Sequence, residues 1–154
     1  RPGENVSKPM DIREGIEVSL RLLRPRWHDR IEIHRDYGAI PLVEAAPSQI
    51  NQVFMNILAN ACDAIAERGN IWIRTTSDGG QVSVAIRDDG AGIAAAHLAR
   101  IFDPFFTTKA VGKGTGLGLA ISHRLISDHG GTIAVTSEPG GGTEFTIVLP
   151  LRAA

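Results

Sequence analysis

A chain of 154 residues with 43% hydrophobic and 21% charged content can build one domain around its own core. A net charge of −1 offers no basic field for nucleic acid, and 5% aromatic content offers no stacking platform for single strands. The single cysteine, Cys62, excludes an internal disulfide framework and fits a reducing compartment, and no apolar run is long enough to span a bilayer.

Residues 1–10 are polar and include Pro2, Gly3 and Pro9, as expected of a linker or frayed terminus. Asp11 is placed to cap a helix carrying Ile12, Ile16, Leu20 and Leu23 at helical spacing, and Pro25 ends or bends it. Residues 31–35 alternate as a strand does, and residues 40–45 are expected to pair with them. Pro47 and Ser48 open a long helix that ends between Ala66 and Gly69. Residues 71–75 and 82–86 read as a hairpin turning at Asp78-Gly79-Gly80. A segment rich in Gly and Phe fills residues 88–116, and a helix then runs to about His129. Residues 132–137 and 143–149 form a last hairpin around Pro139-Gly140-Gly141-Gly142. No internal repeat is present. Helices and strands mix without strict alternation, which predicts an α+β fold with a helical layer on one face of a mixed sheet.

Four stretches carry candidate chemistry. On the long helix, Gln49, Gln52, Asn56, Asn60, Asp63 and Glu67 form a narrow polar stripe beside a wide apolar arc. Solvated helix faces normally carry Lys and Glu, and asparagine is a mediocre helix former. An amide oxygen is a hard ligand suited to Mg²⁺, which keeps waters and shares phosphate oxygens. Taken alone, the stripe is equally a solvated edge or a set of hydrogen-bonded core amides. Second, Asp88-Asp89-Gly90-Ala91-Gly92 follows a strand directly. A carboxylate there accepts hydrogen bonds only, which suits an exocyclic amine such as that of adenine. By itself the pentapeptide is also an ordinary Asp-Gly turn.

Third, residues 101–109 contain Phe102, Phe105 and Phe106, followed by Thr107, Thr108 and Lys109. The rings are expected to anchor a mobile loop over residues 95–114, and Lys109 to reach a phosphate. Tethering a long loop to the core needs the same rings. Fourth, Gly112-Lys113-Gly114-Thr115-Gly116-Leu117-Gly118-Leu119 opens into an apolar segment. Unpaired N–H groups at a helix start favour phosphate, and glycine lets the main chain approach closely.

In this order the stretches resemble the boxes of the catalytic ATP-binding domain of two-component sensor histidine kinases, within the GHKL ATPase superfamily. Residues 52–64 resemble its asparagine box and 88–93 its first glycine box, D-x-G-x-G. Residues 102–109 resemble its phenylalanine box, 112–119 its second glycine box, and Gly142-Thr143-Glu144-Phe145 its closing G-T-x-F. Phe-Phe-Thr-Thr-Lys looks most like nitrogen-regulation and dicarboxylate sensor kinases. Asp89 departs from the asparagine common at that place.

The resemblance implies a two-layer α/β sandwich over residues 11–154, with ATP held between helices and a lid loop. It implies Asn60 as the Mg²⁺ ligand, with Asn56 and Lys109 as catalytic residues beside the metal and phosphates. Asp88 would bind the adenine amine together with Thr143, and Gly90 and Gly92 would admit the base. Gly112, Gly114, Gly116 and Gly118, with Lys113, Thr115 and Leu117, would hold phosphates. Asp63, Ile93, Phe102 and Thr108 would complete the nucleotide contacts.

Asn56 bears on mechanism, because the superfamily's hydrolysing members look to have a glutamate there. An amide is a poor base, whereas phosphoryl transfer to an imidazole depends mainly on positioning and charge stabilisation. None of His28, His34, His97, His123 and His129 sits in the phosphoacceptor context of the family. His129, before Gly130-Gly131, reads as a helix C-terminal residue. The resemblance therefore implies transfer from ATP to a histidine on a separate dimerisation domain, with a response regulator downstream. It implies a cytoplasmic domain of a homodimeric parent whose membrane attachment stays open. A stand-alone ATPase and a non-catalytic nucleotide-sensing module are the alternatives.

Overall fold

The computed structural model describes residues 6–107 and 116–152. In chain order these form β1 (Lys8–Met10), α1 (Ile12–Leu22), α2 (Arg24–Trp27), β2 (Ile31–Tyr37), β3 (Val43–Ala45), α3 (Pro47–Ala64), β4 (Gly69–Asp78), β5 (Gln81–Asp88), α4 (Ala95–Leu98), α5 (Gly118–Asp128), β6 (Thr132–Glu138) and β7 (Gly142–Pro150). Asp11 caps α1 as its sequence predicts, accepting from the Arg13 N–H at 3.0 Å. Pro25 stops that helix and sits in the first turn of the next, where a missing N–H costs nothing.

The main sheet has strand order β2-β4-β5-β7-β6. Its β2–β4 pair is parallel and the other three pairs are antiparallel. Helices α1 and α5 both pack on α3, and α3 lies against β5 and β7. One layer of helices on one face of a mixed sheet is the two-layer α+β sandwich expected. The core joins Ile12, Ile16 and Leu20 of α1 to Ile50, Phe54, Ile57 and Leu58 of α3, and these to the inward side chains of the sheet. Among the described residues no helix is long and apolar enough to cross a membrane.

Strand parity places the site. On β5, Val82, Val84, Ile86 and Asp88 are the buried positions, and on β7 they include Thr143, Phe145, Ile147 and Leu149. Side chains two apart share a face, so Asp88 and Thr143 end two rows of core residues on the helix-facing side. They are direct register partners. The opposite face carries the cross-strand row His34, Trp72, Arg87, Glu144 and Thr136. There the His34 and Trp72 rings stack at 5.4 Å, and Arg87 lies 5.2 Å over Trp72.

Two expectations are corrected. Residues 8–10 are not a free linker, because they pair antiparallel with β3 and bury Met10. Residues 40–45 accordingly do not pair with β2. Val43 and Ala45 are buried in the core beside Met10, which a hairpin along the sheet edge would leave outside. Glu44 N–H donates to the Leu151 carbonyl at 2.8 Å and fixes the ribbon to the chain's far end.

Candidate nucleotide-binding site

A cleft of about 670 Å³ opens between α3, the start of α5 and the β5/β7 end of the sheet. That volume is in the range of small-ligand sites. Its wall includes Asn56, Asn60 and Asp63 from the polar stripe, Asp88 and Thr143 from the sheet, and Gly92 and Ile93 from the loop after β5. The C-terminal half of the stripe on α3 therefore faces the cleft, whereas Gln49 and Gln52 do not line it and Glu67 lies past the helix end; the apolar arc supplies the core.

The sheet end is fixed by backbone. Asp88 is 3% exposed, and its carboxylate accepts from the Gly90 N–H at 2.8 Å and from the Thr143 N–H. Burial pushes the Asp88 carboxyl above the ordinary carboxylate range, and the two N–H bonds pull it back. Ser137 of β6 organises the neighbouring Thr143 and Ile93. Its hydroxyl accepts from the Ile93 N–H at 2.8 Å, donates to the Gly142 carbonyl at 2.8 Å and meets the Thr143 hydroxyl at 2.7 Å. A serine on the inward parity of β6, facing a threonine on β7, was the available signal.

Gly90 and Gly92 both make room for other segments of the chain. A Cβ on Gly90 would lie 2.4 Å from the Ala64 carbonyl oxygen. At Gly92, with φ +76°, it would lie 1.9 Å from the Glu138 carbonyl oxygen. Only glycine lets the loop after β5 pass between the end of α3 and the β6–β7 turn. Gly92 lines the cleft, whereas Gly90 does not.

The other end of the cleft is held by side chains. Asn56 Nδ2 donates to the Gly118 carbonyl at 3.0 Å and to Ser122 Oγ at 3.2 Å, and Ser122 Oγ donates to the same carbonyl at 2.8 Å. Asn60, one turn on, is half-buried and lines the cleft. Gly116 has φ +75°, and its carbonyl accepts from the Phe105 N–H at 2.7 Å. Thr108, Lys109, Gly112, Lys113, Gly114 and Thr115 lie outside the described residues. Gly116 and Gly118 line the cleft, whereas Leu117 does not.

The aromatic segment divides. Phe106 lines the cleft, packs on His97 at 5.5 Å between ring centres, and lies under Arg100 at 4.7 Å. Phe102 stands behind the wall between His123 and Phe145, at 5.2 and 6.4 Å. The Phe105 ring is 73% exposed, while its backbone N–H is the group that bonds the Gly116 carbonyl.

Arg26 is the one described Arg or Lys side chain on the cleft wall, and its Nη2 pairs with Asp63 Oδ1. It comes from α2, 37 positions before Asp63, so nothing in the local pattern pointed to it. His129 is structural as predicted: Nδ1 donates to the Leu125 carbonyl at 2.8 Å and Nε2 accepts from the Ala46 N–H at 3.1 Å. Cys62 is buried, which pushes its thiol up and leaves it inert.

The donor set fits a shared cation. No group of three or more His, Cys, Asp or Glu side chains converges among the described residues, so they form no all-protein cage. Amide oxygens of Asn60 and Asn56 are hard donors of the type Mg²⁺ accepts when phosphate and water supply the remainder. Asp88 beside Thr143 likewise offers the buried acceptor that an exocyclic amine requires.

Comparison with known proteins bears on these features. Residues 45–153 match the family described as histidine kinase-, DNA gyrase B-, and HSP90-like ATPase. The chain is 39% identical over 155 residues to sensor histidine kinase ZraS of Escherichia coli strain K12, covering 99% of this chain and 33% of that protein. It thus spans a third of that relative's length. Full-length ShkA in complex with AMPPNP superposes with a TM-score of 0.85 at 34% identity, covering 98% of this chain and 32% of ShkA. Histidine kinase ThkA in complex with response regulator protein TrrA superposes with a TM-score of 0.81 at 28% identity, covering 96% of this chain and 42% of that one.

Proposed function

The chain belongs to the histidine kinase-, DNA gyrase B- and HSP90-like ATPase family, and from that premise we propose that its cleft binds ATP with Mg²⁺ and donates the γ-phosphoryl group to a histidine on a separate dimerisation domain. The observation that carries this is the pair Asp88 and Thr143, buried side by side, facing a wall of Asn56 and Asn60. A carboxylate and hydroxyl at one end select a base amine, and amides at the other suit a metal shared with phosphates. ZraS and ThkA are sensor or histidine kinases by name, and ShkA is solved with an ATP analogue.

In this reading Asp88 accepts from the adenine amine while Thr143 supports the contact. Asn60 would hold Mg²⁺, and Asn56 would support it from one turn earlier on α3. Bound Mg²⁺ would neutralise charge that develops on the phosphate oxygens. Asp63, paired with Arg26, and Ile93 line the middle of the site, and Gly116 and Gly118 would approach the phosphates; the family resemblance assigns phosphate contacts also to Thr108, Lys109, Gly112, Lys113, Gly114, Thr115 and Leu117. The acceptor imidazole forms a P–N bond as the bond from γ-phosphorus to the bridging oxygen breaks, leaving ADP. Asn56 takes no proton, because an amide is no base at neutral pH. The domain runs over residues 11–154, joined by β1, within a homodimeric parent kinase that passes the phosphoryl group to a response regulator.

Mixing the chain with the parent's dimerisation domain and γ-labelled ATP tests this. Label is expected on the added domain's histidine, with very slow ADP release by the chain alone. Brisk hydrolysis by the pure chain would replace the kinase reading with an ATPase one. Binding without either turnover would leave a nucleotide-sensing module.

A further inference from the structure

We propose that Ser122 is a positioning residue for the metal–phosphate end of the cleft, holding the Asn56 amide in the one orientation that turns its oxygen to the metal's shell. The proposal rests on the nucleotide reading above and adds to it a residue from the core side of α5.

Ser122 breaks the pattern of its helix. It shares the buried face of α5 with Leu125 and Ile126 and is itself 0% exposed. A hydroxyl at such a position costs stability unless its hydrogen bonds are made. Ser122 makes them by closing a ring with Asn56 and Gly118: Asn56 Nδ2 to Ser122 Oγ, Asn56 Nδ2 to Gly118 O, and Ser122 Oγ to Gly118 O.

The donor inventory fixes the outcome. A carboxamide has two N–H donors and one oxygen acceptor. Both acceptors presented by α5 face the Nδ2 side, so both N–H groups are engaged there. Turning the amide over would set its oxygen against a carbonyl oxygen and leave the N–H groups facing the cleft. The Asn56 oxygen is thereby the group that remains, and Asn56 lines the cleft. Without Ser122, one Asn56 N–H loses its acceptor and the Gly118 carbonyl alone opposes the turned-over amide, so the orientation is held less firmly. A flipped amide presents N–H donors to a cation and repels it. The ring spans α3 and the first residue of α5, elements 62 positions apart, so it also fixes the two walls against each other.

Nucleotide affinity measured by calorimetry with and without Mg²⁺ tests this, using AMPPNP with the wild-type chain, Ser122→Ala and Ser122→Thr. In Ser122→Ala the enhancement of affinity by Mg²⁺ is expected to shrink roughly three- to tenfold, the scale of one lost hydrogen bond. Affinity without Mg²⁺ is expected to stay within about twofold of wild type. Ser122→Thr keeps the hydroxyl and is expected to restore most of the metal enhancement. An equal loss with and without metal, or no loss, would show that Ser122 is only packing and overturn the proposal. If Ser122→Ala unfolds, the comparison of Ser122→Thr with Ser122→Cys decides instead, because the thiol keeps the volume but bonds weakly. A Cys variant as metal-responsive as Thr would then overturn it. A wild-type chain that binds no AMPPNP would refute the nucleotide reading itself, a different failure.

Discussion

The two ends of the cleft are built by different means. At the sheet end, backbone does the positioning: Asp88 is clamped by the N–H groups of Gly90 and Thr143, and Gly92 passes against the Glu138 carbonyl with no room for a Cβ. At the helix end, side chains do it: Asn56, Ser122 and the Gly118 carbonyl close a ring, and a Cβ on Gly118 would stand at an ordinary 3.5 Å from Asn56. A site framed by backbone fails through the fold, whereas a site framed by side chains fails through affinity. Glycine substitutions at the two ends are therefore expected to differ sharply in what they cost the fold.

The largest effect is expected at Gly92→Ala. Its positive φ costs about 1–2 kcal/mol for a residue with a Cβ, and the contact with the Glu138 carbonyl adds strain of about 1–3 kcal/mol. Thermal unfolding should show a marked drop in midpoint. A normal midpoint would mean the loop after β5 can shift, and that the backbone clamp is softer than its geometry.

Asp88→Asn should weaken ATP binding by about 1.5–3 kcal/mol, more if a polar group is left unpaired, while the fold persists. The sign of its pH dependence sharpens the contrast. Burial raises the Asp88 carboxyl, so the folded chain holds its proton more tightly than the unfolded chain. Stability of the free protein therefore falls as pH rises from the ordinary carboxylate value through the raised one, and Asp88→Asn escapes that loss. Nucleotide binding runs the opposite way, since the amine needs an ionised acceptor. Affinity should fall as pH falls through the raised value, and calorimetry across mildly acidic pH would detect it. A flat profile in the wild type, or unchanged affinity in the variant, would remove Asp88 from the base contact.

At the helix end, Asn60→Ala should abolish most of the Mg²⁺ dependence of nucleotide affinity, and Asn56→Ala a smaller part. Titration with and without Mg²⁺ separates them. Wild-type metal dependence in Asn60→Ala would make the stripe structural. The smallest effect is expected at Gly118→Ala, within about 0.5 kcal/mol of wild-type stability, because the added methyl meets only ordinary contacts and alanine favours helix. A large loss there would mean this end is as tightly packed as the sheet end.

Much of this was legible from residue order. The hairpins turn at their glycines, Asn56, Asn60 and Asp63 of the stripe on α3 line the cleft, and Asp88 ends an alternating strand beside them. Those features are local: periods of two and 3.6 residues, turn chemistry and capping are written in neighbouring residues. Residues 40–45 were misassigned because alternation says that a segment is a strand but not which strand it meets. Burial of Val43 and Ala45 beside Met10 decided that.

The sequence by itself determined the three long helices and the two hairpins, the α+β class and the boxes that mark the family, because each depends on spacing within one stretch. Only the tertiary structure decided where each box residue stands and what it touches. It showed that Gly90 and Gly92 make room for other chain segments, that Phe106 rather than Phe102 or Phe105 lines the cleft, that Arg26 lines it too, and that Ser122 and Ser137 bond to residues of its wall. Those facts arise from contacts between residues far apart in the chain, whose geometry is set by packing a helix layer on a sheet.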